Sequence, residues 1–97
     1  MSNNVALKER VKLNLGISHK SLDDEIIAKI KSGRAELKRL GILGDLANGN
    51  NALIQDALIA YVCKTLASSP DEREGWERSW QISSTALKDT SEFYEED

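Results

Sequence analysis

Apolar residues recur every three or four positions along most of this chain, and sustained alternation of apolar and polar residues does not occur. Such spacing is typical of α-helices that bury one face. The clearest stripe lies within residues 21–40 and consists of Ile26, Ile30, Gly33, Leu37 and Leu40. Ser21, followed by Asp24 three residues later, predicts a capped start for this helix, and Gly41 predicts its end.

Three more helices are predicted on either side of this one. The first covers residues 5–15 and ends before Gly16; its apolar face holds Leu7, Val11 and Leu15. The third runs from a cap at Asn51 to about residue 66; its apolar face holds Ile54, Ala57, Leu58, Tyr61, Val62 and Leu66. The fourth begins at Ser69-Pro70, a cap followed by proline in the first helical position; its apolar face holds Trp76, Trp80, Ser83 and Leu87.

A loop is predicted between the second and third helices, because residues 41–51 contain three glycines and three asparagines, which favour turns. Ile42, Leu43 and Leu46 are unusually apolar for a solvated loop. They either fold back onto the core, which is the favoured interpretation, or reach a partner.

The fold class that follows is all-α, a small bundle of about four helices over residues 1–88. Residues 89–97 form an acidic tail with five acids and no base. Phe93 and Tyr94 cannot nucleate a core alone, so we expect this tail to be mobile in the free chain. It either orders on a partner, which is the favoured interpretation, or is a solubilising tail that makes no contact.

Composition argues against catalysis and against a membrane span. His19 is the only histidine and is expected to be solvated; Cys63 is the only cysteine and is expected to be an inert core residue. No phosphate loop, dinucleotide fingerprint or metal-ligand spacing occurs, so we expect no enzyme activity, cofactor or metal. No apolar run approaches the roughly 18 residues of a membrane span, and no secretory signal precedes the first helix, so a cytoplasmic protein is expected.

Charge is divided unevenly along the chain. Residues 1–40 carry nine basic and five acidic side chains, whereas residues 41–97 carry four and eleven. Such a split suits head-to-tail self-association between a basic and an acidic face. The candidates on the two sides are Lys31, Arg34 and Lys38, and Glu72, Glu74 and Glu77. The alternative is a solvated helical surface that happens to be uneven.

Aromatic residues supply further interface candidates. Trp76 and Trp80 lie one turn apart on a helix rich in charge, as anchors of protein–protein contacts often do, and Phe93 and Tyr94 lie in the acidic tail. Core packing remains the default for at least one tryptophan.

DNA binding is the rival interpretation. The second helix carries five basic residues that could form a strip along the duplex backbone, namely Lys29, Lys31, Arg34, Lys38 and Arg39. That helix also owns the best buried stripe, and the net charge of the chain is −3.

The order of these segments resembles the small head–tail connector proteins of tailed bacteriophages and prophages, often labelled DNA-packaging proteins. The similar segments are residues 13–17 (Leu-Asn-Leu-Gly-Ile), 23–27 (Asp-Asp-Glu-Ile-Ile), 58–62 (Leu-Ile-Ala-Tyr-Val), 76–80 (Trp-Glu-Arg-Ser-Trp), Leu87 and 91–94 (Ser-Glu-Phe-Tyr). The chain departs from the family at residues 63–66, where relatives often carry lysine, an aromatic residue and glycine.

The resemblance implies a structural adaptor in the virion that is assembled in the bacterial cytoplasm. Such subunits form a homo-oligomeric ring below the portal protein, extend the DNA channel and dock tail or stopper proteins. DNA would pass through the ring without sequence-specific binding.

Overall fold

A computed structural model describes residues 3–42, 44–49 and 51–89, apart from the side chains of residues 3, 45 and 46. These residues form helices and turns without a β-strand. The helices are α1 (Asn3–Leu15), α2 (Asp23–Arg39), α3 (Gly44–Ala47), α4 (Ala52–Leu66) and α5 (Pro70–Asp89). The predicted all-α bundle of about four helices is confirmed, with α4 and α5 as the predicted third and fourth helices. The acidic tail lies almost entirely outside the described residues.

The helix α4 is the centre of the molecule. It packs against α1, α2 and α5, while α1 also packs against α2 and the single turn α3 packs against α2. The described part of the chain measures 43 × 33 × 18 Å, so it is a thin slab. A central helix must be apolar on most sides, since each side meets a neighbour rather than water.

Burial of α4 therefore extends beyond the predicted stripe. Ile59, Ala60 and Cys63 are buried in addition to the predicted face, and all three have at most 5 % of their surface exposed. The sequence signal for this was the uninterrupted apolar run from residue 57 to 63. A run without polar positions is typical of an element with neighbours on several sides.

The predicted helix ends are confirmed at four positions. Gly16 and Gly41 adopt positive φ angles of 70° and 102° directly after α1 and near the end of α2. The Asn51 side chain accepts a hydrogen bond from the Leu53 N–H, and the Ser69 hydroxyl accepts one from the Glu72 N–H. These contacts satisfy backbone groups that a helix end leaves without partners.

The predicted cap at Ser21 is wrong. The helix α2 begins at Asp23, its cap position is Leu22, and no side chain caps it. The Ser21 hydroxyl instead pairs with the His19 ring Nδ1 at 2.7 Å. Asp23 is engaged by lysines of α1, which draws the start of α2 toward that helix.

The connection over residues 41–51 is more ordered than a plain loop, because it contains the turn α3. Ile42 is 2 % exposed, as expected for an apolar side chain that folds back onto the core. Leu43 and the side chain of Leu46 lie outside the described residues.

Truncating Ile30 to alanine should lower the free energy of unfolding by about 2–5 kcal/mol, because removal of a buried aliphatic side chain leaves a cavity. Ile30 has no exposed surface and lies in the middle of the α2 stripe. Urea denaturation followed by circular dichroism measures the change. The matched control is Ile82→Ala, since Ile82 is 65 % exposed and should lose little. Equal costs at the two positions would contradict the assignment of the stripe to the core.

Candidate interaction surfaces

The predicted basic strip is narrower than expected. Lys31 and Lys38 lie on the exposed surface of α2, and neither has an ion pair among the described residues. Arg34 was expected beside them on this surface, but only 7 % of it is exposed. Its assignment to a solvent-facing strip is therefore wrong.

Arg34 is instead a structural link between three parts of the fold. Its guanidinium donates hydrogen bonds of 2.9 Å to the carbonyl oxygens of Ala47 and Gly49 and one of 3.2 Å to the side-chain oxygen of Asn4. The Arg34 guanidinium thus satisfies two backbone carbonyl groups of the α2–α4 connection that would otherwise need water as a hydrogen-bond donor. The sequence could not reveal this, because a lysine-rich helix surface looks the same whether one cation points inward or outward.

The predicted acidic surface lies at the start of α5. Glu72 and Glu74 are exposed. The Glu74 carboxylate forms an ion pair with the guanidinium of Arg78, one turn later, at 3.2 Å. Glu77 is half-buried and pairs across the helices with Lys64 of α4 at 3.4 Å. Glu72 is consequently the freest of the three for an outside partner, while Glu77 is partly used within the chain.

The two tryptophans have different environments. Trp80 is 7 % exposed, and its ring packs edge-on against Tyr61 with the centroids 5.1 Å apart. It is a core residue, which confirms the expectation that at least one of the two tryptophans packs in the core. Trp76 is partly exposed and packs against the edge of the core. Phe93 and Tyr94 lie outside the described residues.

A charged cluster that sequence reasoning missed joins α1 to α2. The Lys12 ammonium lies 2.8 Å from one Asp23 carboxylate oxygen, and the Lys8 ammonium lies 3.2 Å from the other. Lys12 is buried, whereas its neighbour Leu13 is 82 % exposed. Lys8 and Lys12 are one turn apart on the same side of α1, so their spacing was the available signal.

Acid should loosen this cluster. The Lys12 ammonium, with help from Lys8, holds the pKa of the Asp23 carboxyl below its usual value, against the opposing effect of desolvation. The stabilisation is complete above the unfolded pKa of about 3.9 and disappears as pH falls through the lower folded pKa. We therefore expect Asp23→Asn to be less stable than wild type at pH 7, with the difference closing toward pH 2. Thermal unfolding across this pH range, with Asp24→Asn as control, measures it; a gap independent of pH would contradict the account.

An open groove runs between α1 and α5 above α4. Its floor is formed by Ile59 and Ala60, its α1 wall by Arg10 and Asn14, and its α5 wall by Trp76, Ser79 and Ser83, with Asp56 at one end. Arg10 donates to the Gln55 side chain at 2.9 Å and lies 3.7 Å from the Asp56 carboxylate. The groove therefore combines an aromatic edge, small polar walls and one half-exposed cation.

The single cysteine lies in the core and the single histidine lies on the surface, so the two do not come together in a catalytic site. Cys63 has no exposed surface, and burial raises the pKa of its thiol to about 12, so the thiolate that reacts is scarce at neutral pH. His19 is exposed in the α1–α2 turn. Among the residues that the structure describes, no three potential ligands of a metal ion lie together.

Comparison of the chain with protein-family models, with curated proteins and with solved structures gives no match. Within the described part of the chain, no helix combines the length and the apolar character that crossing a membrane requires.

Proposed function

We propose that this chain is a structural head–tail connector subunit of a tailed phage or prophage. Copies would form a ring below the portal, extend the DNA channel and offer a docking surface to tail or stopper proteins. The resemblance of the sequence segments, and of their order along the chain, supports this proposal. The all-helical slab with separate basic and acidic surfaces supports it too.

The observation that carries the proposal is the separation of unpaired charge across the slab. Lys31 and Lys38 are exposed on α2, and Glu72 is exposed on α5. Both helices pack against α4 and not closely against each other, with Tyr61 of α4 lying between Gly33 and Trp80. Opposite charge thus lies on two different sides of the central helix.

Two different complementary surfaces on one subunit produce head-to-tail contacts, and such contacts close into a ring when the rotation between neighbours allows it. Charge at the rim of such a contact mainly sets the association rate, the salt dependence and the register. The proposal therefore assigns steering to the lysines and glutamates, and it assigns the remaining stabilisation to apolar contacts between neighbours.

Self-association is tested by sedimentation velocity at rising protein concentration, with negative-stain imaging of any large species. We expect a ring that dissociates as salt rises from about 0.05 M to about 0.5 M, because screening shortens the reach of surface charge. Lys31→Glu combined with Lys38→Glu should weaken association about tenfold, or about 1.4 kcal/mol per interface.

The control is Lys20→Glu, which reverses an exposed lysine in the α1–α2 turn and should leave association unchanged. Adding Glu72→Lys and Glu74→Lys to the variant that carries Lys31→Glu and Lys38→Glu should restore association. A chain that stays monomeric at all concentrations would overturn the proposal. If that monomer binds duplex DNA with strong salt dependence, the chain is a small DNA-binding protein instead.

A further inference from the structure

The groove between α1 and α5 lies along the middle of α5, and its Ser83 end is six residues, or about 9 Å, before the helix end at Asp89. Contacts join Ala67 to Arg73, Lys64 to Glu77 and Tyr61 to Trp80, so α4 and α5 run antiparallel. The end of α5 at Asp89 therefore lies beside the start of α4. The α1 wall of the groove reaches the same region, since Arg10 contacts Gln55 and Asp56.

We infer that this groove is the docking site for residues 90–97 of a neighbouring copy, an inference that rests on the self-association proposed above. The segment carries four acids, no base and the adjacent aromatics Phe93 and Tyr94. The partly exposed ring of Trp76 and the apolar floor at Ile59 match the aromatic pair. The half-exposed Arg10 guanidinium matches the acids.

The polar walls also suit an extended segment. Asn14, Ser79 and Ser83 place side-chain donors and acceptors along the groove, where they can hydrogen-bond the backbone of a bound chain. Asp56 opposes the acids, but its contact with Arg10 is a long 3.7 Å pair between two exposed groups. Such a pair contributes little, so an incoming carboxylate competes with it at small cost.

The position of the aromatic pair along the chain favours a neighbour over the same copy. Trp76 lies thirteen residues before Asp89, which is about 20 Å along α5. Phe93 lies four residues after Asp89, and four residues span at most about 13–14 Å. Folding back into the groove of its own copy would require the chain to reverse directly after α5. Even with such a reversal, Phe93 of the same copy would stop short of Trp76, whereas Phe93 of a neighbour is not restricted in this way.

Disulfide trapping between two single-cysteine variants tests the inference. Ser79→Cys places a thiol on the groove wall of one chain, and Glu95→Cys places one beside the aromatic pair of the other. The native Cys63 is buried, so we expect it to form no disulfide in this experiment. Mixing the two full-length variants under mild oxidation should give a covalent heterodimer. Phe93→Ala with Tyr94→Ala in the tail variant should lower its yield about tenfold, the loss expected for about 1.4 kcal/mol of aromatic contact.

The matched control is Thr85→Cys, which puts an exposed thiol on α5 outside the groove and should trap little. Equal trapping at positions 79 and 85, or none at position 79, would overturn the inference. So would intrachain trapping in a single chain that carries both cysteines, since the tail would then occupy its own groove. Sedimentation of the same samples shows whether self-association persists, which separates failure of this inference from failure of the proposed ring.

Discussion

Replacing Arg34 with glutamate should destabilise the fold rather than only weaken association. The substitution removes hydrogen bonds to the carbonyls of Ala47 and Gly49 and to Asn4. It also places a carboxylate where two carbonyl oxygens converge, so the new charge meets acceptors instead of donors. Hydrogen bonds from a charged group contribute about 1.5–3 kcal/mol each, and an uncompensated buried charge costs about 3–5 kcal/mol. A loss of at least about 3 kcal/mol is expected by urea denaturation.

Two further variants separate the causes of that loss. Arg34→Met keeps the apolar stem but leaves the carbonyls without a donor. It should therefore lower the free energy of unfolding, but by less than Arg34→Glu does. Lys38→Glu reverses an exposed charge on the same helix and should change stability by less than about 0.5 kcal/mol. If Arg34→Glu and Lys38→Glu unfold at the same urea concentration, Arg34 is a surface residue and the link described here does not exist.

Replacing Gly33 with leucine should have the other large effect on stability. A Cβ atom added to Gly33 would lie 2.9 Å from Cδ2 of Leu58 and 3.0 Å from Cδ2 of Tyr61. Those side chains would have to move, and Tyr61 also packs against Trp80. Overpacking of a core costs about 1–3 kcal/mol and occasionally more, and a full leucine side chain here should reach or pass the upper end. The tryptophan fluorescence should shift as well, because Trp80 loses its fixed neighbour.

The chain provides a matched control for this substitution at Gly75. Both glycines lie inside helices, but Gly75 is exposed and an added Cβ would meet nothing within 4 Å. Gly75→Leu should therefore stabilise the protein slightly, by up to about 0.8 kcal/mol, because leucine has a higher helix propensity than glycine. Gly33→Leu with wild-type stability would mean that α2 and α4 do not approach each other at this point.

These two residues show where sequence reasoning succeeded and where it failed. Gly33 fell on a periodic apolar stripe, so the close approach of another helix could be predicted from spacing alone. Arg34 is the next residue, and its type and position suggested a basic surface. Its partners are backbone carbonyls of a connection some 13 and 15 residues away. Every residue has a backbone carbonyl whatever its side chain, so no pattern of residue types in the sequence could predict that contact.

The candidate surfaces divide in the same way. The exposure of Lys31 and Lys38 at the flank of the stripe follows from helical periodicity. Helical periodicity does not predict that Trp80 is a core residue while Trp76 reaches the groove, because both rings lie on one face of α5. The difference arises only in the packed fold, where Tyr61 of α4 packs against Trp80 and Trp76 lies on the wall of the groove. The groove itself combines residues of α1, α4 and α5, so it exists only after the helices have packed.

The sequence by itself determined the all-α class, the four main helices, most of their ends and the central stripe of the second helix. Those features depend on interactions among residues a few positions apart, which a linear pattern records. Tertiary structure alone decided which three helices enclose α4, that Asp23 is the partner of Lys12, and that Arg34 closes the α2–α4 connection. In each case the partner is distant in sequence, and desolvation inside the fold determines which charged groups are paired and which remain at the surface.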